Sequence, residues 1–188
     1  MINVNGVDIP NTVEELTVKQ FDYISSQIEN RTIRTVERWL NIFTYLGVPE
    51  ESFDDYTKEM LEEAVLNYNA GFSALVGEDG SYQIDRVSFV VIEGYTYQTK
   101  DVIGVKDLSL IEKALNDPDK RLNMGAVVCA ILFKRSDLDR KEHYADGHIK
   151  HKTALFKKQP SIVAIPYLTE VVKLMTNNAE ELIESDTE

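Results

Sequence analysis

An almost wholly apolar stretch in the second half of the chain, residues 121–134, places the strongest constraint on the fold. From Ala126 to Phe133, every side chain is apolar or is the thiol of Cys129. The stretch is shorter than the roughly 20 apolar residues that a transmembrane helix requires. A helix that is apolar on all sides is stable when other elements surround it, so we expect a central buried helix. Cys129 is then a core thiol, since reactive thiolates need positively charged, accessible surroundings.

Amphipathic helices are predicted on both sides of this stretch. Thr17 and Gln20 have the spacing of a capping box at the start of a first helix. A second helix would bury Val36 and Leu40 and end at Gly47. Further helices are expected from Thr57, from a cap at Asp107, near 148–158, and from Ile162 to about Leu182. We expect one shared core that contains Trp39, Leu40, Phe43, Val128, Ile131 and Leu132.

Two short β-hairpins are predicted from glycine turns between β-forming segments. Asn5-Gly6 lies within alternating apolar and polar residues over 2–9, and Asn-Gly suits a type I′ turn because both central residues need positive φ. Glu93-Gly94 lies among aromatic and β-branched residues over 84–99. Residues 77–81, Gly-Glu-Asp-Gly-Ser, predict a loop. The expected fold class is α-dominated α+β, a helical domain with two short β-hairpins.

The spacing of these elements suggests an internal repeat. A shift of 88 residues places the turn Asn5-Gly6 on Glu93-Gly94, and the helix at 57–70 on the helix at 145–158. It also places the second helix on the apolar one, so each half would be a hairpin followed by three helices. Identity across the match is weak, and chance alignment of similar helices is the alternative. The corresponding division of the chain is a first unit, 1–76, a second unit, 82–182, and an acidic tail, 183–188.

The charge balance argues against nucleic-acid binding. Asp and Glu number 32 and Lys and Arg number 20, which gives a net charge of −12. Such a surface repels a phosphate backbone overall. Basic residues do concentrate between Lys134 and Lys158, where they predict either a basic face or an ordinary solvated helix surface.

The three histidines, His143, His148 and His151, all lie in one short polar stretch. His148 and His151 are three residues apart, so on a helix they share one face and could bind one metal ion. The neighbouring Lys150 and Lys152 disfavour a cation, and no ligand comes from a distant element. We therefore expect a structural role on the surface for these histidines, and no metal.

No motif for catalysis or cofactor binding is found in the sequence. It contains no GxSxG, Walker or GxGxxG pattern. The acidic pairs Asp54-Asp55 and Asp137-x-Asp139 lack the oxygen spacing and glycine of an EF-hand loop. We expect no catalytic residue, no cofactor and no enzymatic activity.

Aromatic and basic residues of the second half are candidates for contact with another protein. Tyr95 and Tyr97 are two apart, so they share one face of a strand. Tyrosine is an efficient interface residue because it is large and amphipathic, although half-buried sheet packing would also explain the pattern. The candidate partner-binding residues are Phe89, Tyr95, Tyr97, Arg140, Lys150 and Lys152.

Several short stretches resemble a known group of proteins. These are residues 7–21, Trp39–Phe43, Leu46–Pro49, Asp107-Leu108 and Ala130–Phe133. Together they resemble small acidic structural and morphogenesis proteins of tailed bacteriophages, including tail-assembly chaperones, baseplate-hub assembly factors and crAss-like phage virion proteins. The resemblance covers about two-thirds of the chain in style, and its motifs are short and hydrophobic.

This resemblance implies a non-enzymatic component of a phage particle or an assembly factor for its tail, neck, portal or capsid. Its partners would be other phage structural or assembly proteins, in the host cytoplasm and, if it is retained, in the virion. The N-terminus lacks the basic and apolar regions of a secretory signal, and we expect no membrane association. The alternative is an acidic regulatory binder that mimics nucleic acid and inhibits a host enzyme. Acids spread over nearly every helix favour the first interpretation.

Overall fold

A computed structural model of the chain describes residues 1–73, 76, 82–100 and 102–185, with the backbone alone for 140, 141 and 177–185. The predicted loop at 77–81 and residues 186–188 of the predicted tail lie outside this description. The strands are β1 Ile2–Val4, β2 Val7–Ile9, β3 Phe89–Ile92, β4 Tyr95–Gln98 and β5 Lys134–Arg135. The helices are α1 Val18–Glu29, α2 Thr35–Tyr45, α3 Lys58–Ser73, α4 Val105–Leu115, α5 Pro118–Arg121, α6 Met124–Leu132, α7 Arg140–His143, α8 Asp146–Phe156 and α9 Ile165–Ser185. Short 3₁₀ turns cover Glu50–Phe53 and Ser161–Val163. The predicted class, α-dominated α+β, is confirmed.

Both predicted hairpins form, and both are antiparallel. Strand β1 pairs with β2, and β3 pairs with β4. The central turn residues Asn5, Gly6, Glu93 and Gly94 all have positive φ, as a type I′ turn requires. Strand β5 adds to the other side of β4 and makes a sheet of order β3-β4-β5. The second hairpin is therefore shorter than predicted, but it has a third strand.

Helix α6 is the central element, as the apolar stretch predicts. Its residues from Gly125 to Leu132 are all buried, because α1, α4, α8 and α9 pack around it. The thiol of Cys129 is buried inside this helix, and desolvation raises its pKa. Cys129 is therefore the core thiol that the sequence predicts.

The N-terminal end of α6 is capped by an acid from α1. One Asp22 carboxylate oxygen accepts the backbone N–H of Gly125 at 2.8 Å, and the other accepts that of Ala126 at 3.3 Å. A carboxylate at a helix N-terminus also interacts favourably with the helix dipole. Burial raises the pKa of Asp22 to about 6, against these two hydrogen bonds. A Cβ at position 125 would lie 2.7 Å from Asp22 Oδ1, so the close approach requires glycine.

The buried apolar residues form two clusters, and the prediction of one shared core is wrong. The first cluster contains Phe43, with Trp39 and Leu40 packed against it. The second contains Val128, Ile131 and Leu132.

Two helix details also differ from prediction. Val36 is 52% exposed, because α2 is covered on fewer sides than α6. Helix α4 is capped by Gly104, and Asp107 lies at its third position, where it accepts the Gly104 N–H at 3.3 Å.

The element boundaries repeat with the predicted offset. A shift of 88 residues carries β1, β2, α1, α2 and α3 onto β3, β4, α4, α6 and α8, with every start matched within one residue. Both hairpins have the same positive φ pattern at their turns. Helix α9 has no described counterpart in the first half, which explains why α6 is enclosed and α2 is partly open.

Candidate partner-binding surface

The outward face of the second hairpin exposes apolar side chains. Phe89 is 58% exposed and Val91 is 60% exposed, whereas Ile92 is buried. Side chains alternate along a strand, so Phe89 and Val91 point away from the core together. Their cross-strand partners are Gln98 and Thr96, which lie on the same side of the sheet. We define the outward hairpin face as Phe89, Val91, Thr96 and Gln98.

Strand β3 also has an open edge. In the strand order β3-β4-β5, only β4 pairs with β3 among the described residues. The unpaired N–H and C=O groups of such an edge can accept a strand from another chain. An apolar face beside an open strand edge is a suitable surface for protein–protein contact.

The first hairpin provides an internal comparison. Its outward pair, Asn3 and Asp8, is polar, and Asn3 Nδ2 donates to Asp8 Oδ1 at 2.8 Å. The shift of 88 residues places Asn3 on Val91 and Asp8 on Thr96. The two hairpins share turn geometry and register, so nothing in the hairpin fold requires an apolar outward face. At this cross-strand pair, the exposed apolar side chain is specific to the second hairpin.

Of the two predicted contact tyrosines, one is accessible. Tyr95 is 47% exposed next to the turn, with the Arg135 guanidinium carbon 4.2 Å from its ring centroid. Tyr97 is 1% exposed and packs edge-on against Phe156, with ring centroids 5.9 Å apart. The prediction of Tyr97 as a partner-binding residue is therefore wrong. The Tyr97 side chain lies over the core, whereas the Tyr95 side chain extends beyond the core.

Lys152 is also misplaced by the prediction, because it is 0% exposed. Its Nζ donates to the carbonyl oxygen of Phe133 at 3.0 Å and to Nδ1 of His143 at 2.9 Å. The other ring nitrogen of His143, Nε2, lies 2.9 Å from the carbonyl oxygen of Ile131. These contacts satisfy carbonyls at the C-terminal end of α6, which would otherwise be buried without partners. His143 is buried as well, which contradicts its predicted surface role.

Both groups are shifted towards their neutral forms. Burial, together with the charge of Lys134, lowers the pKa of Lys152 to about 7, and Asp107 opposes the shift. Burial likewise lowers the pKa of His143 to about 4. A neutral imidazole that donates from Nε2 to Ile131 leaves Nδ1 free to accept from Lys152. Because Lys152 holds the carbonyl of Phe133, it fixes the residue that precedes β5 and so positions β5 against β4.

A basic groove adjoins the outward hairpin face. Its volume is about 870 Å³, and its described lining includes Lys100, Lys106, Lys134 and Tyr144. Nζ of Lys106 lies 4.3 Å and Nζ of Lys134 lies 5.1 Å from the Tyr144 ring centroid. Lys134 is paired with Gln98 across the sheet, which makes the groove continuous with the outward hairpin face. We call this feature the lysine groove.

Sequence reasoning did not find the lysine groove, because its lysines come from separate elements. The predicted basic residues lie elsewhere: Lys150 is exposed on α8, and the side chain of Arg140 lies outside the description. The basic density between Lys134 and Lys158 was the one available signal, and Lys134 is the member of that stretch that lines the groove.

Within the described part of the chain, no group of three or more His, Cys, Asp or Glu side chains could hold a metal ion. In the same residues, no helix is both long enough and apolar enough to cross a membrane. No family model matches the chain, and neither a curated protein nor a solved structure shows significant similarity to it.

Proposed function

We propose that this chain is a non-enzymatic protein that binds another protein through its outward hairpin face. The observation that carries the proposal is the contrast between the hairpins: Val91, next to the exposed Phe89 on the same face, is exposed at the position where the first hairpin presents Asn3. Adjacent exposed apolar side chains on a sheet face are typical of contact surfaces. The resemblance to tailed-phage structural and morphogenesis proteins supports a partner from a phage particle or its assembly machinery.

The contact would combine apolar burial with pairing at the strand edge. Complete burial of a Phe or a Val side chain stabilises by about 1.5–3 kcal/mol each. A partner strand added to the edge of β3 would supply backbone hydrogen bonds in the same step. Tyr95 lies beside the turn with Arg135 stacked on its ring, on the opposite side of the sheet from the outward hairpin face, so it is not part of this contact.

The decisive experiment exchanges the outward residues of the two hairpins. The variant Val91→Asn with Thr96→Asp receives the polar pair of the first hairpin, and the matched control is Asn3→Val with Asp8→Thr. Tagged wild type and both variants are purified from cells that also express the products of neighbouring genes, and co-purified proteins are quantified by mass spectrometry.

We expect the Val91→Asn, Thr96→Asp variant to lose its specific partners at least about tenfold, since about 1.4 kcal/mol corresponds to a factor of ten. The control should retain them, and circular dichroism should show the same helical content in all three proteins. Undiminished partners in the polar variant would refute the proposal.

A further inference from the structure

We propose that the lysine groove binds the acidic segment 180–188 of a second copy of this chain, and so joins copies head to tail. This inference is independent of the outward hairpin face. It rests on the chemistry of the groove, on the composition of the segment and on the length of α9.

The groove concentrates positive charge in a protein whose net charge is −12. Lys100 and Lys106 are exposed at its rim, and Lys134 approaches from β5. Among the described lining residues, the acid is Asp107, which accepts hydrogen bonds from the Tyr144 hydroxyl and from the Gly104 N–H. Its charge is thus engaged within the protein, and Lys100 and Lys106, which are both exposed, present a surface for carboxylates from outside.

Apolar side chains also border the groove. Val102 and Val105 are both largely exposed, and both line it. A suitable ligand therefore carries several carboxylates together with aliphatic side chains. An ordinary small anion would use the lysines and leave both valines in water.

The segment 180–188, Glu-Glu-Leu-Ile-Glu-Ser-Asp-Thr-Glu, has this composition. It contains five acidic residues, no basic residue and the adjacent aliphatic pair Leu182-Ile183. A segment with this charge would be repelled by most of an acidic surface and attracted by the lysine groove.

The length of α9 favours an intermolecular contact. Tyr167, near the start of α9, lines a small cavity together with Lys100 and Lys134. The helix continues to Ser185, and a helix rises 1.5 Å per residue, which places residue 180 about 20 Å along the axis from Tyr167. The acidic segment therefore begins about 20 Å along α9 from a residue that lines a cavity with two of the groove lysines, and the contact is assigned to the segment of a second copy. Contact between different surfaces of successive copies is heterologous and extends to rings or filaments.

Sedimentation velocity of the full chain tests the proposal, with charge-swapped variants. The groove variant is Lys100→Glu with Lys106→Glu, and the segment variant is Glu180→Lys, Glu181→Lys and Glu184→Lys. Wild type should associate as its concentration rises, and salt should weaken the association because it screens exposed ion pairs. Each variant alone should remain monomeric. An equimolar mixture of the two should associate again, since each then offers the other a complementary surface.

The control variant Lys113→Glu with Lys150→Glu has the same net charge as the groove variant, with both changes at other exposed positions. It should associate like wild type. The proposal would be overturned if the wild type were monomeric or if the control variant lost association as the groove variant does. A mixture of the groove and segment variants that stayed monomeric would also overturn it. The hairpin variant Val91→Asn, Thr96→Asp should keep this association, so failure of this inference and failure of the proposed function are distinguishable.

Discussion

Lys152 and His143 close the C-terminal end of a helix that is buried along its whole length. Lys152 has a pKa of about 7 in the folded protein against 10.5 for an ordinary lysine. Between these values the unfolded chain binds more protons than the folded one, so stability rises with pH. The titration of His143 also makes stability rise with pH, between about pH 4 and pH 6.5. Asp22, whose pKa is raised from 3.8 to about 6, makes stability fall with pH over the same acidic range.

We therefore expect the free energy of unfolding to increase from pH 7 towards pH 10 in a way that depends on Lys152. Urea unfolding of wild type and of Lys152→Met, measured across this range, checks the prediction. The variant should lose most of the rise, because methionine cannot titrate. Lys150→Met, an exposed change two residues away, should keep the wild-type slope. Equal slopes in wild type and Lys152→Met would show that the lysine is charged in the folded protein.

The two residues that the site prediction misplaced, Tyr97 and Lys152, are buried for reasons that no local pattern carries. Tyr97 and Tyr95 have the same spacing and chemistry, and what separates them is the position of Phe156, more than fifty residues later. Lys152 lies in a basic stretch, and its burial follows from the buried backbone carbonyl groups at the end of α6 that need a donor. Phe89, another of the predicted contact residues, is exposed. Its exposure follows from the alternation of side chains along β3, counted from the buried Ile92.

At the scale of elements, the two hairpins differ at one costly turn position. Asn5 and Glu93 both have φ near +50°, which asparagine tolerates and most other side chains avoid. Glu93→Asn should therefore stabilise the protein by up to about 1 kcal/mol. Chemical denaturation of the variant measures this gain.

The reverse change, Asn5→Glu, should cost more than the first gains. It places a glutamate in the same conformation and also removes the hydrogen bond from Asn5 Nδ2 to the carbonyl of Ser52 at 2.6 Å. If Glu93→Asn lowers stability, the turn is held by contacts of the glutamate that outweigh its backbone strain.

Elements were predictable where local signals were strong. The Asn-Gly turn, the capping box at Thr17 and the all-apolar composition of α6 each identify an element without distant information. The offset of 88 residues followed from the same signals, since it depends on the order and length of elements. The division of the core into two clusters could not be predicted from these signals. It depends on the contacts of α1, and the sequence of α1 shows one apolar face with no sign of a second packing partner.

On the scale of the whole molecule, α1 and the residues before it join the two clusters. Val18 N–H donates to the carbonyl of Gln159 at 2.8 Å, and Ser161 N–H donates to that of Leu16 at 2.7 Å. Leu16 belongs to the first cluster and Val18 to the second. Asp22 continues the same connection to the N-terminal end of α6. Loss of the second cluster therefore removes the partners that hold the first.

We expect the two clusters to unfold together, and the only tryptophan, Trp39, reports on this. It packs in the first cluster, whereas Ile131 is buried in the second. Ile131→Ala should cost about 2–5 kcal/mol, as buried aliphatic truncations do. In urea, Trp39 fluorescence and far-ultraviolet circular dichroism should shift to the same lower midpoint. A fluorescence midpoint that stays at the wild-type value while the circular dichroism midpoint falls would show that the clusters unfold independently and that α1 does not couple them.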